Sequence, residues 1–211
     1  MTIDTADLKR MFDTIAVAIE ADKDRLCQLD GVIGDADHGI AMALGFNAVR
    51  DALASLDLAA TEPTALLNTA AKSFLNAVGA SSGPLYATAF MRAGAAVKGN
   101  AALADADFTA LFQAMAQGIK DRGKAEPGEK TMVDAWQPAA EAAAAASVAG
   151  KTLAQCLEAA LAAAARGAEA TKDMIAAKGR SSRLGERSLG HIDPGAASAV
   201  TVIGAMRKSL S

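Results

Sequence analysis

The chain has 211 residues, 52% of them hydrophobic but only 4% aromatic, with a formal net charge of -3 and a pI of about 5.4. That balance is a poor electrostatic footprint for a nucleic-acid backbone, which wants clustered cations, so that class is set aside. The length suits a single domain over residues 1–211 with a sizeable core, and an apolar fraction dominated by alanine, with few β-branched or aromatic runs, predicts helices rather than strands.

The N-terminus, MTIDTADLKRMF, carries acids and no long apolar run, so it does not read as a signal peptide. A first helix is predicted from near Thr5 to Leu29, with Leu8, Phe12, Ile15, Ile19 and Leu26 at helical spacing. The stretch Asp30–His38 (DGVIGDADH) breaks it with two glycines and three acids. A second helix covers roughly Gly39–Leu56, and Pro63 suits the first turn of a third that runs to Val78. A second break, Gly79–Pro84 (GASSGP), leads into a helix through Tyr86, Phe90 and Val97.

Asp107 is predicted to cap a fifth helix reaching about Arg122, followed by a third break, Gly123–Thr131 (GKAEPGEKT). Helices over Met132–Val148 and Thr152–Ala177 come next. The longest break, Lys178–Gly195, precedes a last helix over Ala196–Leu210. The alanine run Ala142–Ala146 is too short to span a bilayer and has Glu141 beside it. Cys27 and Cys156 lie in apolar helical patterns and are expected to be reduced core thiols. A soluble, cytoplasmic protein is expected.

The breaks at 30–38, 79–84, 123–131 and 178–195 follow the first, third, fifth and seventh helices. In an antiparallel bundle alternate connections fall at the same end. These four, which hold nearly all the glycine, acid and hydroxyl clusters, are therefore expected to meet there, where loops on a rigid scaffold carry function.

Asp30, Asp35 and Asp37 crowd three carboxylates across one glycine-containing turn. Such crowding costs free energy unless a cation neutralises it or protons bind. Magnesium, a hard cation held by carboxylates, water and phosphates, suits the pattern, and the spacing is not that of an EF-hand. A solvated acidic turn, with Asp30 ending a helix, suits it too. Gly79–Pro84 can offer N–H groups and hydroxyls to a phosphate at a helix start, or simply cap that helix; Thr131 can likewise be only a cap, and Asp193-Pro194-Gly195 only a turn.

Lys178, Arg180, Arg183 and Arg187 make a basic segment in an acidic chain, suited to phosphate oxygens or an acidic surface, or to plain solvation. The only two histidines, His38 and His191, both fall in these loops. Two P-loop look-alikes fail: Gly118 to Gly123-Lys124 is followed by Ala125 in place of a hydroxyl, and Gly150-Lys151-Thr152 lacks the leading glycine.

Together, Gly34–Gly39 (GDADHG), Gly79–Tyr86, Pro127–Asp134 (PGEKTMVD) and Gly179–Ser198 (GRSSRLGERSLGHIDPGAAS) resemble, in family order, the L subunit of dihydroxyacetone kinases, the ADP-binding subunit. The resemblance spans about residues 29–204. It implies an all-α barrel of eight antiparallel helices with the nucleotide at one end. It implies two Mg2+ ions on Asp30, Asp35 and Asp37 that bridge the phosphates of ADP or ATP. His38 and the turn of Ala80, Ser81 and Ser82 would lie beside those phosphates. Gly123, Met132, Arg180, Asp193, Pro194 and Gly195 would line the nucleotide pocket.

The family usually has glycine at Ala36, and often asparagine and arginine at Ala41 and Leu44. No general base for a sugar hydroxyl is evident. The resemblance supplies the reason, because a separate K subunit holds dihydroxyacetone covalently on its own histidine, and this chain would deliver the γ-phosphoryl group, guided by the Arg180–Arg187 loop. In the stand-alone form ADP is retained and rephosphorylated by a phosphotransferase-system protein. Within the same class, exchangeable ATP and a four-carbon ketose such as erythrulose are the alternative. A metal-dependent helical hydrolase using the same aspartates and a non-enzymatic helical interaction module are the readings outside it.

Overall fold

A computed structural model describes residues 2–79 and 81–210. Among the described residues there are eight α-helices: α1 Thr5–Ile33, α2 His38–Ala54, α3 Pro63–Ala77, α4 Ser82–Ala96, α5 Asp105–Gly123, α6 Val133–Val148, α7 Leu153–Ala170 and α8 Pro194–Ser209. Each helix packs on the next, and α8 packs back on α1, so the ring closes into a barrel. Two-residue strands β1 (Thr2–Ile3) and β2 (Leu103–Ala104) pair antiparallel, a small exception to the helical expectation. No helix among the described residues is long and apolar enough to cross a membrane.

The barrel is filled from the inside by its few aromatics. Phe12, Phe46, Phe74, Tyr86, Phe90, Phe108, Phe112 and Trp136 are all buried. All but Phe108 meet another ring edge-on or tilted, with Phe46–Phe74 at 5.1 Å and Phe112–Trp136 at 5.4 Å between ring centres. Alanine has a different task. Ala135, Ala139 and Ala143 of α6 and Ala160, Ala164 and Ala168 of α7 are buried, and side chains this small let helix backbones approach closely.

The helix starts alternate in direction as the loop spacing predicts. Thr5 Oγ1 donates to Thr61 O, Leu153 N donates to Asp105 Oδ2, and β1 before α1 pairs with β2 before α5, so the starts of α1, α3, α5 and α7 share one end. The connections after those same helices lie at the other end, where the glycine-rich breaks converge.

Several segments differ from expectation. α1 continues through Gly31 to Ile33, which keeps Asp30 inside the helix and buried rather than in a loop. α5 starts at Asp105, and Asp107 is its third residue, accepting from Ala104 N at 2.8 Å. α7 stops at Ala170, short of Ala177: Thr171–Asp173 tighten to 3-10 geometry, and the Thr171 and Lys172 carbonyls also accept from the Lys130 ammonium and from Gly190 N. The 178–195 segment is not featureless: Arg180–Ser188 forms 3-10 turns broken at Gly185, with φ 56°.

Candidate functional site

Asp30 is the buried member of the acidic trio. Its Oδ2 accepts from Asp37 N at 3.0 Å and His38 N at 3.2 Å, bending the 34–37 loop back over the end of α1. Gly34 makes that bend possible, since a Cβ there would collide with the Asp30 carboxylate. Asp37 stands at the N-cap of α2, yet its side chain makes no capping bond. It turns instead toward the other two acids. Oxygens of Asp30, Asp35 and Asp37 lie within 4.8 Å of one another, Asp35 and Asp37 being exposed.

Three hard oxygen donors that close are chemically suited to a divalent cation. The loop's own counter-charge is Arg180: its guanidinium pairs with Asp35 and lies 3.9 Å from Asp37. Ala36, between them, has φ 62°, a left-handed backbone in which glycine is free of the Cβ penalty.

Beside the trio, a cleft lined by Asp30, Asp35, Asp37, His38, Ala41, Ser81, Ser82, Arg180 and Ser181 adjoins a larger cavity of about 450 Å³. His38, Ser81, Ser82 and Ser181 belong to both. The larger cavity has apolar walls from Leu85, Ile119, Met132, Val133 and Pro194, with Gly123, Asp193 and Gly195 completing it. All four glycine-rich breaks contribute. The cavity therefore brings together His38, Ser81, Ser82, Gly123, Met132, Asp193, Pro194 and Gly195. Arg180 stands over the smaller cleft instead. Ala80 lies outside the described residues.

The polar members are held by short local bonds. Asp193 caps α8, its Oδ2 accepting from Ala196 N at 2.7 Å, so the expected Asp-Pro-Gly turn is a helix start. Burial pushes the Asp193 carboxyl up to about 7, against the Ala196 N–H and the Lys130 charge. The His38 imidazole is pushed below its ordinary range by burial, with the Asp30 charge acting the other way. Gly83 lets α4 begin close to Val78 O, where a Cβ would clash, and so sets Ser81 and Ser82 at the cavity mouth.

Two residues escape a sequence reading. Ser198, one turn into α8, lies 2.9 Å from His38 Nε2 and gives its own proton to Gly195 O. The Nε2–H therefore donates to Ser198, which orients the ring. Lys130, inside the PGEKTMVD motif but given no role there, is 2% exposed and lines the cavity. Ser198 closes the Gly179–Ser198 motif, which was the one signal that could have pointed to it.

A family model described as the DAK2 domain matches residues 32–208. The chain is 38% identical to the PEP-dependent dihydroxyacetone kinase 1, ADP-binding subunit DhaL, of Listeria innocua serovar 6a, over 98% of this chain and 97% of that one. It is 42% identical to the PEP-dependent dihydroxyacetone kinase, ADP-binding subunit DhaL, of Escherichia coli K12, over 82% and 81%. A crystal structure of the dihydroxyacetone kinase from C. freundii in complex with AMP-PNP and Mg2+ superposes with a TM-score of 0.72 at 25% identity. It covers 95% of this chain, which spans about a third of that longer one (33%). With its helical barrel and convergent loops, the chain belongs to the DAK2-domain family of dihydroxyacetone kinase L subunits, the ADP-binding subunits.

Proposed function

We propose that this chain is the single-domain nucleotide-holding subunit of a phosphotransferase, and that it transfers a phosphoryl group from a Mg2+-bound adenine nucleotide to dihydroxyacetone carried by a separate K subunit. One observation carries the reading: an acidic trio within 4.8 Å opens through His38, Ser81 and Ser82 into an apolar-walled cavity of about 450 Å³. A polyphosphate with an apolar base needs that pairing of charge and grease. Asp30, Asp35 and Asp37 would hold two magnesium ions, which neutralise charge on the phosphates when bound.

The other residues act by position. Ser81 and Ser82, at the start of α4, offer donors to phosphate oxygens. The His38 ring, fixed by Ser198, stands beside them. Gly123, Met132 and the Asp193-Pro194-Gly195 start of α8 frame the base. Arg180, exposed on its 3-10 turn, can pass from Asp35 to a phosphoryl group at the same mouth.

An acceptor hydroxyl must come from outside, so the surface around the trio is where a K subunit would sit. Val32, Ile40 and Leu44, apolar and more than half exposed, flank the trio in sequence. Relatives named as ADP-binding subunits of PEP-dependent and, in Lactococcus lactis, PTS-dependent dihydroxyacetone kinases support the reading in which a retained ADP is recharged by a phosphotransferase-system protein. The test is dialysis of the purified protein with magnesium followed by quantitation of bound nucleotide. ADP retained near one equivalent supports the cofactor reading, and rapid loss favours exchangeable ATP.

A further inference from the structure

Lys130 is the least expected residue of the cavity. Its backbone is left-handed, with φ 58°, which is unfavourable for a side chain with a Cβ. Its side chain is 2% exposed, where lysine is rarely found without partners. The Nζ donates to two carbonyls far apart in sequence, Thr171 O and His191 O. Asp193, Asp134 and Asp173 lie near enough to favour its charge, against the burial that disfavours it.

Its partners are themselves fixed. Thr171 Oγ1 accepts from Asp193 N at 2.9 Å, and the Asp134 carboxylate accepts from Thr131 N at 2.8 Å and from Gly128 N at 2.5 Å. One ammonium thus joins the loop before α6 to the end of α7 and to the chain entering α8. Met132 and Gly195 face each other across that joint: a Cβ on Gly195 would lie 3.4 Å from Met132 Cβ. Both line the larger cavity, and Lys130 lines it too but not the carboxylate cleft.

We infer that Lys130 is a positioning residue for the nucleoside half of the bound nucleotide, setting the spacing between the Met132 wall and the Asp193-Pro194-Gly195 wall through Thr171 O and His191 O. The inference rests on the nucleotide reading above. Lys130 acts on the base and ribose, while the phosphates answer to the trio.

The test compares calorimetric titrations of wild type, Lys130→Met and Lys130→Gln with ADP and with inorganic pyrophosphate, each with magnesium, beside thermal melts. The expected result is an ADP Kd raised at least tenfold in the variants with the pyrophosphate Kd changed less than twofold. Lys130→Gln keeps a donor in a smaller side chain and serves if Lys130→Met does not fold. Equal losses for both ligands, or an unchanged ADP Kd in a folded variant, would overturn the role. A wild type that binds ADP no tighter than pyrophosphate would instead overturn the nucleotide reading itself, a distinguishable outcome.

Discussion

Arg180 pairs with Asp35 at the mouth of the carboxylate cleft, so a guanidinium supplied by the 3-10 turn lies where the acidic trio needs positive charge. The pair is exposed on both sides, which keeps its strength modest and its exchange easy. An entering cation must compete with it. Arg180→Ala should therefore raise the affinity of nucleotide-free protein for Mg2+ alone by roughly two- to fivefold at low salt. It should also slow phosphoryl transfer more than tenfold. Calorimetry with MgCl2 and a coupled assay with the K subunit check the two halves.

The three aspartates should not respond alike. Asp37 is exposed, and its side chain caps nothing, so Asp37→Asn should abolish magnesium-dependent ADP binding with little change in melting temperature. Asp30 also fastens the loop through Asp37 N and His38 N. Asp30→Asn should lose binding and, in addition, about 1–3 kcal/mol of stability from weakened bonds to a charged acceptor. Parallel melts and titrations of the two variants separate the effects.

The convergence of four loops was legible because parity of helix number fixes which end a connection occupies, whatever the side chains do. The exact ends were not. Gly31 looks like a breaker, yet α1 runs on to Ile33, since Asp30 and Ile33 then both face inward. The backbone after Ala170 is claimed by distant partners, Lys130 and Gly190 N on the Thr171 and Lys172 carbonyls and Glu129 O on Ala177 N. Local periodicity carries no trace of such a contact. The same holds for Lys130 and Ser198, whose partners lie 61 and 160 residues away in sequence. The acidic trio, by contrast, is a local cluster, and its spacing alone made it visible.

Ala36 offers a stability test inside the site. Its φ of 62° strains any residue with a Cβ, whereas glycine adopts it freely. Ala36→Gly should stabilise the nucleotide-free protein by about 0.5–1 kcal/mol, after the greater freedom glycine has in the unfolded chain. Urea denaturation at fixed pH measures this directly, as a midpoint shifted upward at an unchanged m-value.

Asp193 should make stability depend on pH in the opposite sense to most carboxylates. Its carboxyl is pushed up to about 7 in the folded chain from an ordinary 3.8. Between those values the native state holds a proton that the unfolded chain has released. The contribution is therefore full below about pH 4 and is lost as pH rises through about 7, with a slope of at most about 1.4 kcal/mol per unit. Asp193→Asn should flatten the stability profile between pH 5 and 8 in denaturation series.

The most direct test of the central claim is calorimetric titration of ADP into the purified protein, stripped of nucleotide, with and without magnesium. One ADP per chain is expected, tight with magnesium, at least a hundredfold weaker in EDTA, and lost in Asp35→Ala and Asp37→Ala. Binding of equal strength in EDTA, or no ADP binding at all, would contradict the assignment of the carboxylate trio and its cavity to a magnesium–nucleotide complex.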